Sequence, residues 1–198
     1  TLFMIIVAGS LNAAIIPLLA DVFKKNGEKE LNKFFINMMI IVSSVVLVIA
    51  LLLFIFTPQI TRFLMNSEFS QGILNISGRL QAEDFDLFVK LSRILMISPV
   101  LLGISTIVTG YLQVRRQFFV TSLAPLIYNI AMTIGPVILV GVFKMDVTGI
   151  AISAVLGSFL HFIIQVPSLG KYFGERIKMS LGDLVKALQD TKIWRGLR

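Results

Sequence analysis

The sequence predicts an all-α, polytopic transmembrane helix bundle of five spans followed by a C-terminal amphipathic linker helix. Two observations predict it. Of 198 residues, 56% are hydrophobic and 15% are charged, where an average soluble domain carries about 25% charged residues. Mean hydropathy is correspondingly positive at +0.89. The charges are also segregated, falling almost entirely between five apolar runs of about twenty residues, the length that crosses a bilayer core at the helical rise. The formal net charge of +7 sits in the segments between these runs, where membrane topology explains it better than nucleic acid does. Cysteine is absent, which removes disulfides and thiolate metal sites.

The first span is read at about 2–23. It holds Gly9-Ser10, Asn12 and Pro17, a small and polar patch suited to helix packing or to a wet cavity. No charged segment or small-residue cleavage site precedes it, so the chain reads as an internal piece of a longer membrane protein. A charged connector with an Asn26-Gly27 turn follows. The second span, 34–56, is uncharged, and Pro58 lies just beyond it. Residues 66–86 are polar and turn-rich, which predicts a loop outside the bilayer, and Asn75-Ile76-Ser77 within it is too short a motif to carry weight.

The third and fourth spans, 87–112 and 118–143, flank a tight basic turn at Arg115-Arg116. So short a connection makes the two helices antiparallel neighbours. The fifth span, 149–169, carries His161, Gln165 and Pro167. Residues 171–198 are basic, and Leu181, Leu184, Val185 and Leu188 recur at i, i+3, i+4 and i+7, the stripe of a short helix lying on the membrane surface. With five spans, thirteen of the 18 Lys and Arg residues fall on one side. That side is expected to be cytoplasmic, with the C-terminal tail on it.

Catalytic and metal-binding chemistry is not predicted. No H-E-x-x-H, G-x-S-x-G or phosphate-cradling glycine loop is present, and His161 has no carboxylate or second histidine at ligand spacing. Neither an enzyme nor a cofactor is expected. The residues that stand out are helix breakers and polar groups at depth. Pro99, Pro17 and Pro125 are candidate bends, each removing a backbone hydrogen bond. At Pro99 the alternatives are a static kink and a helix that bends during alternating access. Arg93 either snorkels to the outer interface or offers a forked donor to an anionic substrate. Asn129 is either interhelical glue or part of a substrate path. Arg93, Asn129 and Asn12 are the candidate path residues.

Several of these residues form a series. It runs Gly9-Ser-Leu-Asn-Ala-Ala-x-Ile-Pro17, then Arg93 with Ser98-Pro99 and Gly103, then Gly110-Tyr-Leu-Gln113 and Arg116-x-Phe118. It continues through Ala124-Pro125-x-x-x-Asn129 and Gly135 to His161-x-x-x-Gln165-x-Pro167. Over nearly the whole chain, and in the same order, this resembles the MurJ-type (MviN) lipid II flippases of the multidrug/oligosaccharidyl-lipid/polysaccharide exporter superfamily. The resemblance implies part of the N-terminal lobe of a two-lobed, multi-pass carrier in the bacterial plasma membrane. Its partners would be the bilayer, a lipid-linked anionic substrate and the remaining helices of the full-length chain, with no nucleic acid. Where the family pattern carries an arginine and an acidic residue before the glycine of its second helix, this chain has Met4, Ile5 and Ala8. That departure motivates the alternatives of another lipid-linked glycan or amphipathic cation as cargo. A non-transporting membrane scaffold is the reading from another class.

Overall fold

A computed structural model describes residues 9–66 and 82–173, with side chains described for 13–63 and 85–173. The start of the first span, the polar loop at 67–81 and the linker helix beyond residue 173 lie outside the described residues. Those described are helical almost throughout: α1 (Gly9–Asn66), α2 (Ala82–Leu95), α3 (Ile97–Val114), α4 (Phe118–Pro136), a π-helical segment (Val137–Val142), α5 (Thr148–Ile163) and the short α6 (Val166–Gly170). Four stretches are long and apolar enough to cross a membrane: Ala13–Phe63, Phe85–Val114, Phe118–Val142 and Thr148–Gly170.

The first of these differs from the expected pair of spans joined by a loop. α1 is helical straight through the charged connector, and its one non-helical residue is Gly27, at φ 79° and ψ −170°. That backbone conformation is open to glycine and strained for any residue with a Cβ. The elbow lets the two arms of α1 share a core. Ile15 and Leu19 precede it, Leu31, Phe34, Phe35, Met38 and Ile41 follow it, and all pack with Ile107, Val108, Tyr111 and Leu112 of α3.

Prolines account for the other breaks. Pro99 has no N–H to give the Leu95 carbonyl and its ring crowds that group, and the helix is interrupted at Met96, between α2 and α3. After Pro136 the backbone widens. Phe143 N bonds to Ile138 O at 3.0 Å, a five-residue spacing, and Lys144 closes the segment at φ 54°. The α3–α4 turn is a Schellman motif. Gln117 N reaches Leu112 O at 2.9 Å and Arg116 N reaches Gln113 O at 2.9 Å, with Arg116 rather than glycine in the left-handed position, φ 59°. Just before α5, the Asp146 carboxylate accepts from Thr148 N at 3.0 Å and from the Thr148 hydroxyl. These bonds hold its pKa below the usual carboxylate value.

α3 packs mainly on α1, and α4 on α5. The second contact rests on small residues. A methyl added at Gly135 would stand 2.7 Å from Ser153 Cβ and Oγ, and one at Gly157 would stand 3.2 Å from the Tyr128 ring. Between apolar helices in lipid, such close approach supplies the dispersion contact that water-driven burial supplies elsewhere. Gly135→Val is therefore expected to destabilise the bundle by about 1–3 kcal/mol through overpacking. Gly141→Ala, with nothing within 4 Å of the new methyl, should change little. Unfolding in mixed detergent micelles reads the difference.

Candidate functional site

The bundle has two ends. At one, Glu28, Asn32, Arg115, Gln117 and Tyr172 meet. At the other, the Arg62 guanidinium lies 5.6 Å from the centre of the Phe85 ring and the charge of Lys90 acts on Asp146. Three polar arrangements lie between or at these ends, and they differ in what they leave available.

At the elbow end, Arg115 is enclosed, its side chain 7% exposed. Nη1 donates to Glu28 Oε1 at 2.6 Å and Nη2 to Asn32 Oδ1 at 2.9 Å. The guanidinium carbon lies 4.7 to 5.4 Å from the ring centres of Tyr172, Phe23 and Tyr111. Tyr111 donates its hydroxyl to Asn32 Oδ1 at 2.6 Å, and Asn32 Nδ2 donates to the Tyr172 carbonyl at 3.2 Å. Both terminal nitrogens of the cation are paired and its faces are stacked on aromatic rings, while Nε is enclosed without a hydrogen-bond partner. It ties the α1 elbow, the α3–α4 turn and the chain leaving α6, and offers no open face to a ligand.

Further in, a buried network joins α3 to the C-terminal part of the last span. Gln165 Nε2 donates to Ser105 Oγ at 2.8 Å and to the His161 carbonyl at 3.0 Å. The Ser105 hydroxyl is then free to donate to His161 Nδ1, 2.6 Å away. That makes Nδ1 the acceptor and puts the ring proton on Nε2. Thr109 Oγ1 lies 3.0 Å from Gln165 Oε1 and 2.9 Å from the Ser105 carbonyl. Every side-chain oxygen and amide hydrogen in this group has a partner, as lipid surroundings require. His161 therefore joins helices, and among the described residues no group of acidic, histidine or cysteine side chains is placed to hold a metal ion.

The third arrangement is open. Leu47, Leu51 and Phe54 of α1 face Met96, Val100 and Leu101 across a groove of about 270 Å³, with Arg93 as the charged residue among its lining. The Arg93 guanidinium carbon lies 4.9 Å from the centre of the Phe54 ring. Its Nε is enclosed without a hydrogen-bond partner, and neither ion pair among the described residues involves it.

Of the residues singled out in the sequence, Arg93 alone sits in this groove. Asn129 is exposed on α4, its carbonyl accepting from Thr133 Oγ1 at 2.9 Å. Asn12 lies near the start of α1 and its side chain is outside the described residues. Pro17 and Pro125 lie exposed within α1 and α4, and Pro99 is exposed near the start of α3. Of the two path candidates with described side chains, Arg93 lines the groove and Asn129 does not. The sequence reading missed Ser105 and Thr109 as partners of His161 and Gln165. The signal was present, because both pairs are spaced i, i+4 on helices that pack together.

Comparison with known proteins adds a family. The family model for the lipid II flippase MurJ matches residues 1–190. A Burkholderia cenocepacia protein named "Lipid II flippase MurJ" is 29% identical over 87 residues, covering 44% of this chain and 17% of that protein. A Rhizobium tropici protein named "Probable lipid II flippase MurJ" is 26% identical over 124 residues, covering 63% of this chain and 22% of that one. The matched stretches thus span about a fifth of these relatives' length.

The buried network yields a test. Ser105→Ala and Gln165→Leu should each destabilise the bundle by about 1 kcal/mol, the scale of interhelical hydrogen bonds in membranes. The double variant should lose less than the sum, because both changes break the same bonds. Unfolding free energies of the four proteins in detergent close the cycle.

Proposed function

The chain belongs to the MurJ family of lipid II flippases, and on that premise we propose that it forms part of the N-terminal lobe of a carrier for lipid-linked peptidoglycan precursor. The carrier works by alternating access in the bacterial plasma membrane and catalyses no covalent chemistry. The match over residues 1–190 is the observation that carries this reading. The comparisons favour neither an exporter of another cargo nor a scaffold.

In this reading the bundle has five spans. The two arms of α1 are separate crossings joined at the Gly27 elbow, because a straight helix of 58 residues would be about 87 Å long, nearly three times a bilayer core of about 30 Å. The elbow end, rich in Lys and Arg, faces the cytoplasm, and the basic segment 171–198 continues there as a linker with one amphipathic helix. The Lys144 end faces outward. The absence of cysteine from these 198 residues leaves an introduced cysteine without a competitor in this part of the chain, which makes the arrangement testable. Single cysteines at Lys25 and Arg116 should react with a membrane-impermeant maleimide only after the membrane is opened, and one at Lys144 should react in intact cells. Labelling of Lys25→Cys and Lys144→Cys from the same side would refute it.

Arg93, Asn129 and Asn12 are the proposed path contacts, with Arg93 as the anion-binding position. A guanidinium offers two parallel donors to a phosphate, and an apolar setting strengthens that bond. Pro99, Pro17 and Pro125 are the proposed bends that let the helices rock. Complementation tests the whole reading. Cells depleted of their own flippase should grow when they express the full-length protein. Arg93→Ala should lower plating efficiency at least tenfold, and Arg93→Lys should fall between. Growth failure despite correct membrane insertion would count against the flippase assignment.

A further inference from the structure

The Arg93 groove has a geometry that separates it from an ordinary interfacial arginine. Snorkelling would carry the guanidinium toward the end of its helix. Here it does not go there. Arg62 stacks on Phe85 near the Lys144 end, and Arg93 stacks on Phe54. Eight residues separate Arg62 from Phe54 on α1, and eight separate Phe85 from Arg93 on the antiparallel strand of helix, so Arg93 lies level with its own ring partner. That level is about 12 Å in from Phe85 at the helical rise. The charge is thus held sideways, at depth, over an aromatic face, with Nε enclosed and no carboxylate paired to it among the described residues.

Below Arg93 the groove runs from Phe54 to Leu47 on one wall and from Met96 to Leu101 on the other. Seven helical residues give it a length of about 10 Å. Apart from Arg93 these walls are apolar, and most of their α1 side chains are exposed. A cation capping an apolar channel is complementary to an amphiphile with an anionic head and a hydrocarbon tail. A soluble anion would leave the channel empty, and a neutral lipid would leave the guanidinium unmatched.

We propose that this groove holds an anionic glycerophospholipid of the leaflet on the Lys144 side, its phosphate on the Arg93 guanidinium and one acyl chain along Leu51 and Val100. The proposal rests on reading Arg93 as an anion-binding position, and it names the resting occupant that a lipid-linked diphosphate would have to displace. Binding follows from the charge and the channel together, so it holds whether or not the protein transports that cargo.

Site-directed quenching tests it. Trp194, the single tryptophan of these 198 residues, is replaced by phenylalanine, and Leu51→Trp places a reporter on the groove wall of the same 198-residue chain. The protein is reconstituted in vesicles of phosphatidylcholine and phosphatidylglycerol in which one lipid or the other carries brominated acyl chains. Brominated phosphatidylglycerol should quench with a relative binding constant about fivefold above phosphatidylcholine, the size of one basic residue's attraction for an anionic lipid. Arg93→Gln should bring the ratio to unity, and Lys90→Gln, a change at an exposed neighbour, should leave it. Arg93→Lys, which keeps the charge without the fork, should give an intermediate ratio and decides the question should the glutamine variant not reconstitute. Equal quenching by both lipids, a preference that survives intact in the Arg93 variants, or no quenching by either lipid because protein covers the groove would each overturn the proposal. None of these outcomes bears on complementation, so failure here and failure of the flippase reading are separable.

Discussion

The elbow at Gly27 is the constraint on which the bundle depends. It is the single point where 58 consecutive helical residues change direction, and it needs the left-handed backbone that glycine alone adopts without strain. Everything at that end is built around it. Glu28, the next residue, pairs with Arg115 at 2.6 Å, and Asn32, one turn on, bonds both Tyr111 and Arg115. The apolar core collects residues from both arms and closes them against α3. With an alanine at position 27 the backbone would be driven back toward a straight helix, and the core would lose one arm or the other.

Lipid as solvent explains how the polar groups are arranged. With no water at depth, a hydroxyl gains by bonding a carbonyl or another side chain, and most buried ones here do so, Ser98 Oγ being the exception among the described residues. Thr57, Thr106, Ser153 and Ser158 bond the carbonyl four residues back on their own helices. Ser105, Thr109, His161 and Gln165 bond across helices. The two solutions serve different ends. The first hides a polar group, and in Ser153 leaves a small residue against which Gly135 can close. The second adds specificity, because it is satisfied only when α3 and the last span meet in one register.

Much of the fold was legible in the sequence, because membrane helices are written in long apolar runs and in the placement of charge. The runs, the short Arg115-Arg116 turn and the antiparallel pair it enforces needed nothing more than length and hydropathy. The charged connector at 21–33 was legible in part: its expected turn at Asn26-Gly27 coincides with the elbow, while its flanks remain helical for a physical reason. Lys, Glu and Leu are good helix formers, so the segment stays helical around one glycine instead of forming a loop. Local polarity marks a solvated stretch, and it does not say whether that stretch unwinds. The site was less legible. Arg93 stood out as a charge at depth, but whether it snorkels depends on where Phe54 lies, and that is a matter of helix register. Asn129 and Asn12 drew notice by residue type, whereas the network that does join helices uses Ser and Thr, too common in apolar helices to stand out.

Arg115 and Arg93 have opposite circumstances, and the contrast separates a cation fixed within the fold from one beside an open groove. The charge of Arg115 is neutralised by Glu28 and wrapped by three aromatic rings, so it is fixed in a structural role at the elbow end. Positions where the family pattern places a charged pair are occupied here by Met4, Ile5 and Ala8. Lys144 is exposed in the turn before α5, where water and salt screen it, and Lys90 is exposed one turn nearer the Phe85 end than Arg93. That leaves Arg93 as the cation that is both at depth and unpaired among the described residues, in a setting of low dielectric where one charge counts for most. An apolar groove lies beside it, lined by Leu47, Leu51 and Phe54 on one wall and Met96, Val100 and Leu101 on the other. Among the described residues, a charge without an ion-pair partner and an open apolar groove therefore coincide on the α1 side of Arg93.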